Sequence, residues 1–468
     1  MKIEQLYTGC LAQGAYYIES EGEVAIIDPL REIQQYIDKA KANNSKIKYI
    51  LETHFHADFV SGHVDLANKT GATIVFGPGA STEYDIHSAS DGEELKVGKV
   101  TIKVLHTPGH TLESTTYLLR DENGKDHAIF SGDTLFLGDV GRPDLAIKSD
   151  LTKEDLAGML YDSLRSKIMT LADDVIVYPA HGAGSACGKN LSKETIGILG
   201  EQKQTNYALR ADMTKADFVE EVLDGIAPPP QYFAKNAMMN KMGYDAFDTI
   251  LKTGDSPLSP EEFEALANHE SALVLDVRPQ SDYIKEHIPN SIFIGLNGGF
   301  APWVGALITD IKQPIILVVP EGKSAEAVTR LSRVGYDHTL GYLEGGLTSW
   351  KASGRDVDSL ESISAEVFAM RAKSSDVNIL DVRKDGEYQS SHIESAQHFS
   401  LDLINEKMNE VTKDKTYYVH CAGGYRSVIA ASILKARGFN NLIDIAGGFA
   451  AIQKTDLPTT DFVCPSTL

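Results

Sequence analysis

Two short stretches of the sequence carry most of its reactive side chains. Residues 53–58, Thr-His-Phe-His-Ala-Asp, place two imidazoles and a carboxylate at alternate positions. These side chains at this spacing are suited to binding a metal ion. Far along the chain, Cys421 is followed by Gly423, Gly424 and Arg426. A cysteine beside glycine N–H groups and an arginine is suited to holding a negatively charged adduct on its sulfur.

Four groups of candidate metal ligands each follow a β-rich run. The runs 49–51, 100–105, 128–130 and 175–178 predict strands, and they precede the 53–58 motif, His110, Asp133 and His181 respectively. Loops that leave the same edge of a sheet converge in space, so we expect one metal site there. The same patterns predict further strands at 16–18, 24–27 and 74–76, and helices at 33–42, 155–171 and 214–223.

Length and composition limit the class of protein. A chain of 468 residues predicts about three domains. The formal charge of -22 disfavours nucleic-acid and anionic-membrane partners, and no apolar run approaches the roughly 20 residues that span a bilayer. The start of the chain lacks the apolar core of a signal peptide, and the four cysteines show no Cys-x-x-Cys spacing. We therefore expect a cytoplasmic protein.

The second half of the chain repeats itself. The segment 274–278, Val-Leu-Asp-Val-Arg, matches 379–383, Ile-Leu-Asp-Val-Arg, and each is followed by a His-Ile pair. A repeat of about 105 residues fits two copies of a small α/β domain rather than a solenoid unit. We predict domains at 1–245, 256–356 and 358–462.

The candidate metal motifs resemble those of the metallo-β-lactamase superfamily over roughly residues 1–245. The matching segments are 53–58, 107–111 (Thr-Pro-Gly-His-Thr), 131–134 (Ser-Gly-Asp-Thr) and 179–182 (Pro-Ala-His-Gly). This resemblance implies an αββα sandwich with the metal at its edge. The predicted fold class is a multidomain α/β protein in which that sandwich precedes the two small α/β domains of the repeat.

One departure from the superfamily bears on the chemistry. Dinuclear hydrolases of glyoxalase II type continue the first motif with a histidine where this chain has Phe59, which cannot bind a metal. His54, His110 and Asp133 remain as two imidazoles and a carboxylate, the ligand set of non-haem Fe(II) oxygenases. We expect one Fe(II) per chain, with the surrounding residues His56, Asp58 and His181 orienting its ligands or a bound water. Zinc, and His56 as a fourth ligand, stay open.

The segment 138–144, Gly-Asp-Val-Gly-Arg-Pro-Asp, resembles persulfide dioxygenases. Those enzymes use iron to oxidise a thiol persulfide to sulfite and free thiol, and the resemblance gives Arg142 a role in holding the thiol carrier. An internal ion pair with Asp144 is an equal alternative. Cys187 has no visible partner in the sequence, so we interpret it as structural.

The last repeat resembles a rhodanese domain. The resemblance implies that Cys421 carries a persulfide and that Arg426 adds positive charge. The loop has the form Cys-x4-Arg, shorter than the Cys-x5-Arg of related phosphatases, which favours sulfur over phosphate. The expected persulfide-binding residues are those between and beside these two: Ala422, Gly423, Gly424, Tyr425 and Ser427.

The first repeat lacks this loop. Aligned backwards from Gly335 and Gly438, it places Val318 opposite Cys421 and Lys323 opposite Arg426, with Pro-Glu at 320–321 where glycines are needed. Proline has no N–H to donate, and glutamate has the wrong charge. We expect this copy to be catalytically inactive.

The leading hypothesis is a bifunctional sulfide-detoxification enzyme. Iron-dependent oxidation of a low-molecular-weight thiol persulfide by dioxygen would make sulfite, and a Cys421 persulfide would transfer sulfur to give thiosulfate. One alternative is a glyoxalase II-like thioester hydrolase fused to a rhodanese sulfur-carrier module. Another treats the second half as a binding module that does not turn over. The identity of the thiol, a homo-oligomer and the domain arrangement stay open.

Overall fold

The computed structural model describes residues 1–146 and 151–464, which form two compact units. The first unit consists of Met1–Phe247 with Ser332–Gly335, and the second contains the rest of the described chain. Within these described ranges, no helix is both long enough and apolar enough to cross a membrane.

The first unit contains two six-stranded sheets. The first sheet runs in chain order, β1 to β6: Lys2–Thr8, Gln13–Ser20, Glu23–Ile27, Lys46–Leu51, Thr73–Phe76 and His87–Ser88. The second sheet has the spatial order β12-β11-β10-β9-β8-β7, and β7 to β12 are Glu94–Val97, Val100–His106, Thr115–Arg120, Asp126–Gly132, Ile176–Pro179 and Gly197–Ile198.

Helices cover the outer face of each sheet. The helices of the first unit are α1 to α6: Gln34–Ala42, His63–Thr70, Lys153–Ser163, Leu199–Thr205, Lys215–Leu223 and Phe233–Met242. The next helix, α7, is Phe247–Gly254, and all of it after Phe247 belongs to the second unit. Tyr36 of α1 and Leu66 of α2 pack on the first sheet, while Leu160 of α3 and Phe218 of α5 pack on the second. This arrangement confirms the αββα sandwich.

The space between the two sheets is filled by the inward-facing alternate residues of both. Tyr16 and Ile18 of β2 share one buried cluster with Ile102 of β8 and Phe130 of β10. Strand side chains alternate between faces, so the same strands send Tyr17 outward to the helix layer. Both faces of each sheet are therefore covered. The strands predicted for this part of the chain all lie in these two sheets.

The second unit contains two five-stranded parallel sheets with the same strand order. The third sheet is β13-β17-β16-β14-β15, and β13 to β17 are Pro257–Leu258, Leu273–Asp276, Ile292–Phe293, Ile315–Val318 and Thr339–Leu343. The fourth is β18-β22-β21-β19-β20, and β18 to β22 are Glu361–Ser364, Asn378–Asp381, Ala396–His398, Tyr417–His420 and Leu442–Ala446.

Helices accompany these sheets at equivalent places. Those of the third sheet, α8 to α12, are Pro260–His269, Gln280–Lys285, Phe300–Leu307, Ser324–Ser332 and Gly346–Ala352. Those of the fourth sheet, α13 to α16, are Ala365–Ser374, Asp385–Ser390, Tyr425–Ala436 and Gly448–Ile452. The repeated sequence motif also has a repeated contact, because Arg278 binds Asp276 and Arg383 binds Asp381 at the same 2.6 Å.

The third and fourth sheets meet through residues of β15 and α15. The main-chain N–H of Phe293 donates to Oγ of Ser432 over 2.9 Å. The Tyr425 hydroxyl donates to the carbonyl oxygen of Gly295 over 2.7 Å, and its ring lies edge-on to Phe293. Tyr425, a residue of the Cys421 loop, is thus anchored in the first repeat.

Candidate functional site

The orientation of His54 is set by the residue before it. The Thr53 hydroxyl donates to Oδ2 of Asp28 over 2.8 Å, so its oxygen accepts from Nδ1–H of His54 at 3.0 Å. The Thr53 main-chain N–H also donates to Asp28, which follows β3. With Nδ1 occupied, Nε2 of His54 is the nitrogen that can bind a metal. The sequence analysis missed Thr53 and Asp28, although an aspartate after a neighbouring parallel strand was the available signal.

His110 is held in the same way by main chain. Its Nδ1 donates to the carbonyl oxygen of Arg142 over 2.8 Å, which leaves Nε2 for a metal. Nε2 of His110 lies 3.4 Å from Oδ2 of Asp133, and Nε2 of His54 lies 3.8 Å from the same oxygen. The three predicted ligands therefore come together although they lie in three different loops.

The converging atoms have the properties of a metal site. Oδ2 of Asp133 is buried and accepts no hydrogen bond from any residue in the described ranges. Burial opposes charge on this carboxyl, but His181, His54 and His110 together bring the pKa of Asp133 below its ordinary value. The pKa of His54 is held well below its ordinary value, first by burial and then by His56, so its imidazole stays neutral. Two imidazoles and one carboxylate fit a divalent cation.

His56 lies beside His54, with the centroids of the two rings 4.2 Å apart, and it approaches two acidic side chains. Its Nε2 lies 3.1 Å from Oδ1 of Asp28 and 3.6 Å from Oε2 of Glu52, and its ring packs on Phe59. Burial and Asp28 raise the pKa of Glu52 well above its ordinary value. In this structure His56 forms a buried cluster with Asp28 and Glu52 next to the ligands, and its assignment as a fourth ligand stays a prediction.

His181 and Asp58 lie on the other side of Asp133. Nδ1 of His181 is 2.8 Å from Oδ1 of Asp133, and Nε2 is 2.8 Å from Oδ2 of Asp58. Burial disfavours charge on His181, yet Asp133 and Asp58 raise its pKa well above the ordinary value. Cys187 joins this pair, because its Sγ lies within 4.8 Å of their ligand atoms. Burial, followed by Asp58 and Asp133, raises the pKa of Cys187 well above its ordinary value, so no acidifying partner is present, and its structural role stays a prediction.

Arg142 uses its guanidinium within the chain. Its Nε and Nη2 donate to the two carboxylate oxygens of Asp144 over 2.7 and 2.8 Å, and Nη2 also donates to the carbonyl oxygen of Ala227. The side chain is 6% exposed. The ion pair with Asp144, which the sequence left as the alternative, is the arrangement in this structure.

Cys421 follows β21 and lies at the N-terminus of the 12-residue helix α15. The N–H of Gly424 donates to its sulfur over 3.1 Å, and the Ser427 oxygen lies 3.7 Å from it. Gly424 has φ = 105°, a conformation that few other residues adopt, and this lets its N–H point inward. Ser427 is itself fixed by its hydrogen bond to Asp444. The Gly424 N–H thus donates to the sulfur, and the Ser427 oxygen accepts from the thiol.

Arg426 lies beside this loop but is paired with an acid. Its two terminal nitrogens donate to the two oxygens of Glu387 over 2.6 and 2.8 Å. Burial opposes the charge of Glu387, and Arg426 brings the pKa of this carboxyl below its ordinary value. The sequence gave no local sign of this partner, which comes from α14.

The sheet register corrects the alignment of the two repeats. Val318 pairs with Asp276 in the third sheet, and His420 pairs with Asp381 in the fourth. The residue opposite Cys421 is therefore Val319, not Val318. The alignment counted backwards from Gly335 and Gly438, and the first copy has one residue fewer than the second between its strand and this glycine. Valine has no thiol, so the expectation that this loop lacks a nucleophile is unchanged.

Comparison with known proteins finds one metallo-beta-lactamase match and two rhodanese-like matches along the chain. The model of the metallo-beta-lactamase superfamily matches residues 8–181, and that of the rhodanese-like domain matches residues 259–353 and 364–455. A probable hydroxyacylglutathione hydrolase of Schizosaccharomyces pombe is 31% identical over 181 residues, 38% of this chain and 66% of the relative. The mitochondrial persulfide dioxygenase of Homo sapiens is 30% identical over 161 residues, 34% of this chain and 59% of the relative.

A solved structure extends the similarity beyond the first unit. The crystal structure of a metallo-beta-lactamase from Staphylococcus aureus superposes with a TM-score of 0.63 at 32% identity, covering 73% of this chain and 98% of that one. Both matched families are enzyme-type domains, and the convergent ligand atoms described above fit a bound metal. The chain belongs to the metallo-β-lactamase superfamily and carries two rhodanese-like domains after its αββα sandwich.

Proposed function

We propose that this chain is a persulfide dioxygenase and sulfurtransferase. Iron at His54, His110 and Asp133 would oxidise a low-molecular-weight thiol persulfide to sulfite, and Cys421 would transfer sulfane sulfur to give thiosulfate. The observation that carries the proposal is that Nε2 of both histidines approaches Oδ2 of Asp133 while both Nδ1 atoms are occupied. This is the two-histidine, one-carboxylate arrangement of non-haem Fe(II) oxygenases.

The oxidation consumes one thiol persulfide, one dioxygen and one water, and it yields the thiol, sulfite and two protons. Ferrous iron supplies the redox chemistry with dioxygen, and we expect one iron per chain. Thr53 and the Arg142 carbonyl hold the two imidazoles in the tautomer that binds metal. His181 fixes Asp133 by its 2.8 Å contact. We assign His181, Asp58 and His56 to positioning; a role for Arg142 toward the thiol stays a prediction.

Sulfur transfer needs two displacements at Cys421. Its thiolate attacks the outer sulfur of a second thiol persulfide, the S–S bond breaks, and the thiol leaves with the proton. Sulfite then attacks the outer sulfur of the Cys421 persulfide and leaves as thiosulfate, which regenerates the thiolate. The Gly424 N–H, 3.1 Å from the sulfur, and the start of α15 favour negative charge at this position. Ala422, Gly423, Tyr425 and Ser427 complete the proposed loop.

Three functional segments follow from this proposal. Residues 1–245 would hold the dioxygenase, residues 256–356 an inactive rhodanese copy, and residues 358–462 the active copy. Val319 supports inactivity of the middle segment, because it stands where Cys421 stands in the last one. Joining both activities in one chain raises the effective concentration of each site for the product of the other, to about millimolar for a short flexible link.

A thioester hydrolase is the competing function, and it is supported by the similarity to hydroxyacylglutathione hydrolases. Phe59 opposes it, since this buried ring replaces a ligand of the second metal in dinuclear hydrolases. Oxygen uptake with a thiol persulfide, compared with thiol release from a thioester, separates the two. Thioester hydrolysis without persulfide oxidation by protein that holds two zinc ions would contradict our proposal. If the protein is a dioxygenase, the His110→Ala variant should bind no iron and should take up no oxygen.

The decisive experiment compares the products of intact protein and Cys421→Ser. Given thiol persulfide and oxygen, the intact protein should release mainly thiosulfate, and Cys421→Ser should release mainly sulfite with oxygen uptake largely preserved. Cys464→Ser is the matched control, because this exposed cysteine lies outside the loop. If both proteins gave the same ratio of sulfite to thiosulfate after subtraction of the chemical background, the proposed coupling of persulfide oxidation to sulfur transfer at Cys421 would be wrong.

A further inference from the structure

The positive charge beside Cys421 is paired with a neighbouring acid. The two terminal nitrogens of Arg426 donate to both carboxylate oxygens of Glu387, in the planar arrangement with which an arginine also binds oxyanions. We propose that Glu387 keeps Arg426 from binding sulfur oxyanions, so that the Cys421 loop binds sulfite and thiosulfate weakly and releases thiosulfate readily. The identity of these oxyanions rests on the sulfur transfer proposed above.

Arg426 lies close enough to Cys421 to act on an anion bound there. Burial opposes the charge of Arg426, but Glu387, followed by Cys421 and Asp402, raises the pKa of the guanidinium above its ordinary value. The arginine therefore stays charged, and its neighbours are the sulfur of Cys421 and two carboxylates. An oxyanion near this sulfur would meet the positive charge only after Glu387 has moved aside.

Two other polar side chains near the loop already have partners. The Ser427 hydroxyl donates to Asp444 over 2.7 Å, so its hydrogen is not available to an oxyanion. The guanidinium of Arg383 acts on the same carboxyl that Arg426 binds, but it donates to both oxygens of Asp381. Arg426 is therefore the side chain that an incoming oxyanion can gain, and the carboxylate that holds it is the competitor.

The ion pair is open enough to solvent to exchange partners. The side chain of Glu387 is 37% exposed and that of Arg426 is 17% exposed. A partly exposed ion pair contributes little to stability, because water and salt screen the two charges. A small dianion can therefore replace the carboxylate on the guanidinium. It must compete, however, with a carboxylate that the chain itself holds at high effective concentration.

A thiol persulfide does not depend on this guanidinium in the same way. Its outer sulfur carries no oxygen atoms, so the loop should accept sulfur from it whether or not Glu387 holds Arg426. Thiosulfate carries three oxygens and their negative charge on the sulfur that leaves as sulfite, and its binding gains from a free arginine. The ion pair thus favours the persulfide as sulfur donor and weakens the hold of the loop on thiosulfate.

The test measures thiosulfate binding by titration calorimetry in the full chain with Cys421→Ser, which cannot transfer sulfur. Adding Glu387→Gln should tighten thiosulfate binding roughly tenfold or more, because the freed guanidinium gains a charge-assisted hydrogen bond. Glutamine can still accept the Lys384 N–H that Glu387 accepts over 3.1 Å, so α14 should keep its first turn. Asp385→Asn is the matched control, because it removes the same charge from the same helix, where Asp385 accepts from Gln389.

Two further measurements show whether Glu387 acts through Arg426. With Arg426→Gln also present, Glu387→Gln should no longer change thiosulfate affinity, since the two residues act through one contact. In turnover with Cys421 intact and cyanide as acceptor, Glu387→Gln should lower the KM for thiosulfate by a similar factor and leave the KM for a thiol persulfide largely unchanged. If thermal unfolding shows that Glu387→Gln is not folded, Glu387→Asp replaces it, because its shorter side chain should also release Arg426.

Unchanged thiosulfate affinity in the folded Glu387 variant, equal tightening in Asp385→Asn, or tightening that persists without Arg426 would each overturn the inference. A protein that binds thiosulfate more tightly after Glu387→Gln yet transfers no sulfur would disprove only the proposed sulfurtransferase activity. A protein that transfers sulfur but has the same thiosulfate affinity with and without Glu387 would disprove only the inference.

Discussion

Oγ1 of Thr53 lies 3.0 Å from Nδ1 of His54, and the same hydroxyl donates to Asp28. The hydroxyl hydrogen is therefore used by Asp28, and the oxygen can only accept from the imidazole. This fixes the tautomer of His54 with its Nε2 lone pair directed toward Asp133. A residue that contacts no metal thereby determines how a metal ligand is presented.

Thr53→Val should weaken iron binding without removing any ligand. Valine has nearly the same shape as threonine but cannot accept from His54 or donate to Asp28. Loss of such a supporting contact lowers metal affinity by roughly 10–100-fold. Competition with a chelator would measure it. Thr116→Val is the control, because this buried hydroxyl contacts Thr107 and no imidazole. If Thr53→Val and Thr116→Val bound iron with equal affinity, Thr53 would have no special role in orienting His54.

Gly424→Ala should strongly reduce sulfur transfer. At φ = 105° a residue with a Cβ is strained by about 1–3 kcal/mol, so alanine should turn the N–H away from the Cys421 sulfur. We expect the thiosulfate:cyanide rate to fall at least tenfold. Gly423→Ala is the matched comparison, because a Cβ there meets no atom within 4 Å and φ is not positive. Similar losses in both variants would contradict a special role for the Gly424 N–H.

The predicted elements are those with the clearest patterns. The predicted strands at 16–18 and 24–27 are the buried centres of β2 and β3, where continuous apolar runs identify a covered sheet. The sequence analysis missed β9, a buried strand in the interior of the second sheet. It also missed β1 and β7, whose exposed and buried residues are mixed and which lie at sheet edges. An edge strand has only one neighbour to pair with, and its pattern is correspondingly weak.

The residues of the candidate site also differ in how far the sequence predicts them. His54, His110 and Asp133 were predictable because each carries a recognisable local motif at the end of a strand. Cys187 was not, since its approach to Asp58 depends on the path of the 182–190 loop and its bond to Arg142. The partner of Arg426 was hidden for a similar reason, because Glu387 reaches it from another helix. Contacts between loops distant in sequence follow from tertiary structure alone.

Acid should destabilise the first unit partly through His63. Burial lowers the pKa of this imidazole from about 6.5 to about 3, and its Nε2 lies 2.6 Å from the Tyr84 hydroxyl. Between these two values the unfolded chain binds a proton that the folded chain does not. The free energy of unfolding therefore falls as pH falls from about 6.5 to about 3.

His63→Gln isolates this contribution, because glutamine keeps an N–H donor but does not titrate. It should be less stable than wild type at neutral pH, and the difference should shrink as pH falls to about 4. Denaturant unfolding of both proteins at several pH values measures the difference. A constant difference across this range would show that His63 does not take up the proton.

We expect the contact between the two repeats to hold the Cys421 loop in its conformation. A Cβ at Gly298 would overlap the ring of Tyr425, the residue directly after Gly424. Gly298→Ala should therefore displace Tyr425, break its hydrogen bond to Gly295, and disturb the N–H that Gly424 donates to sulfur. Overpacking of this kind costs typically about 1–3 kcal/mol. We expect lower stability of the second unit and slower sulfur transfer.

Gly299→Ala provides the matched control, because its Cβ would lie 3.4 Å from the nearest atom, an ordinary contact with Trp303. Tyr425→Phe removes only the hydroxyl and should give an intermediate loss of transfer rate. Thermal unfolding and thiosulfate:cyanide turnover of the three variants measure the two effects separately. If Gly298→Ala destabilised the protein but transferred sulfur as fast as Gly299→Ala, the first repeat would support the fold of the second without positioning its cysteine loop.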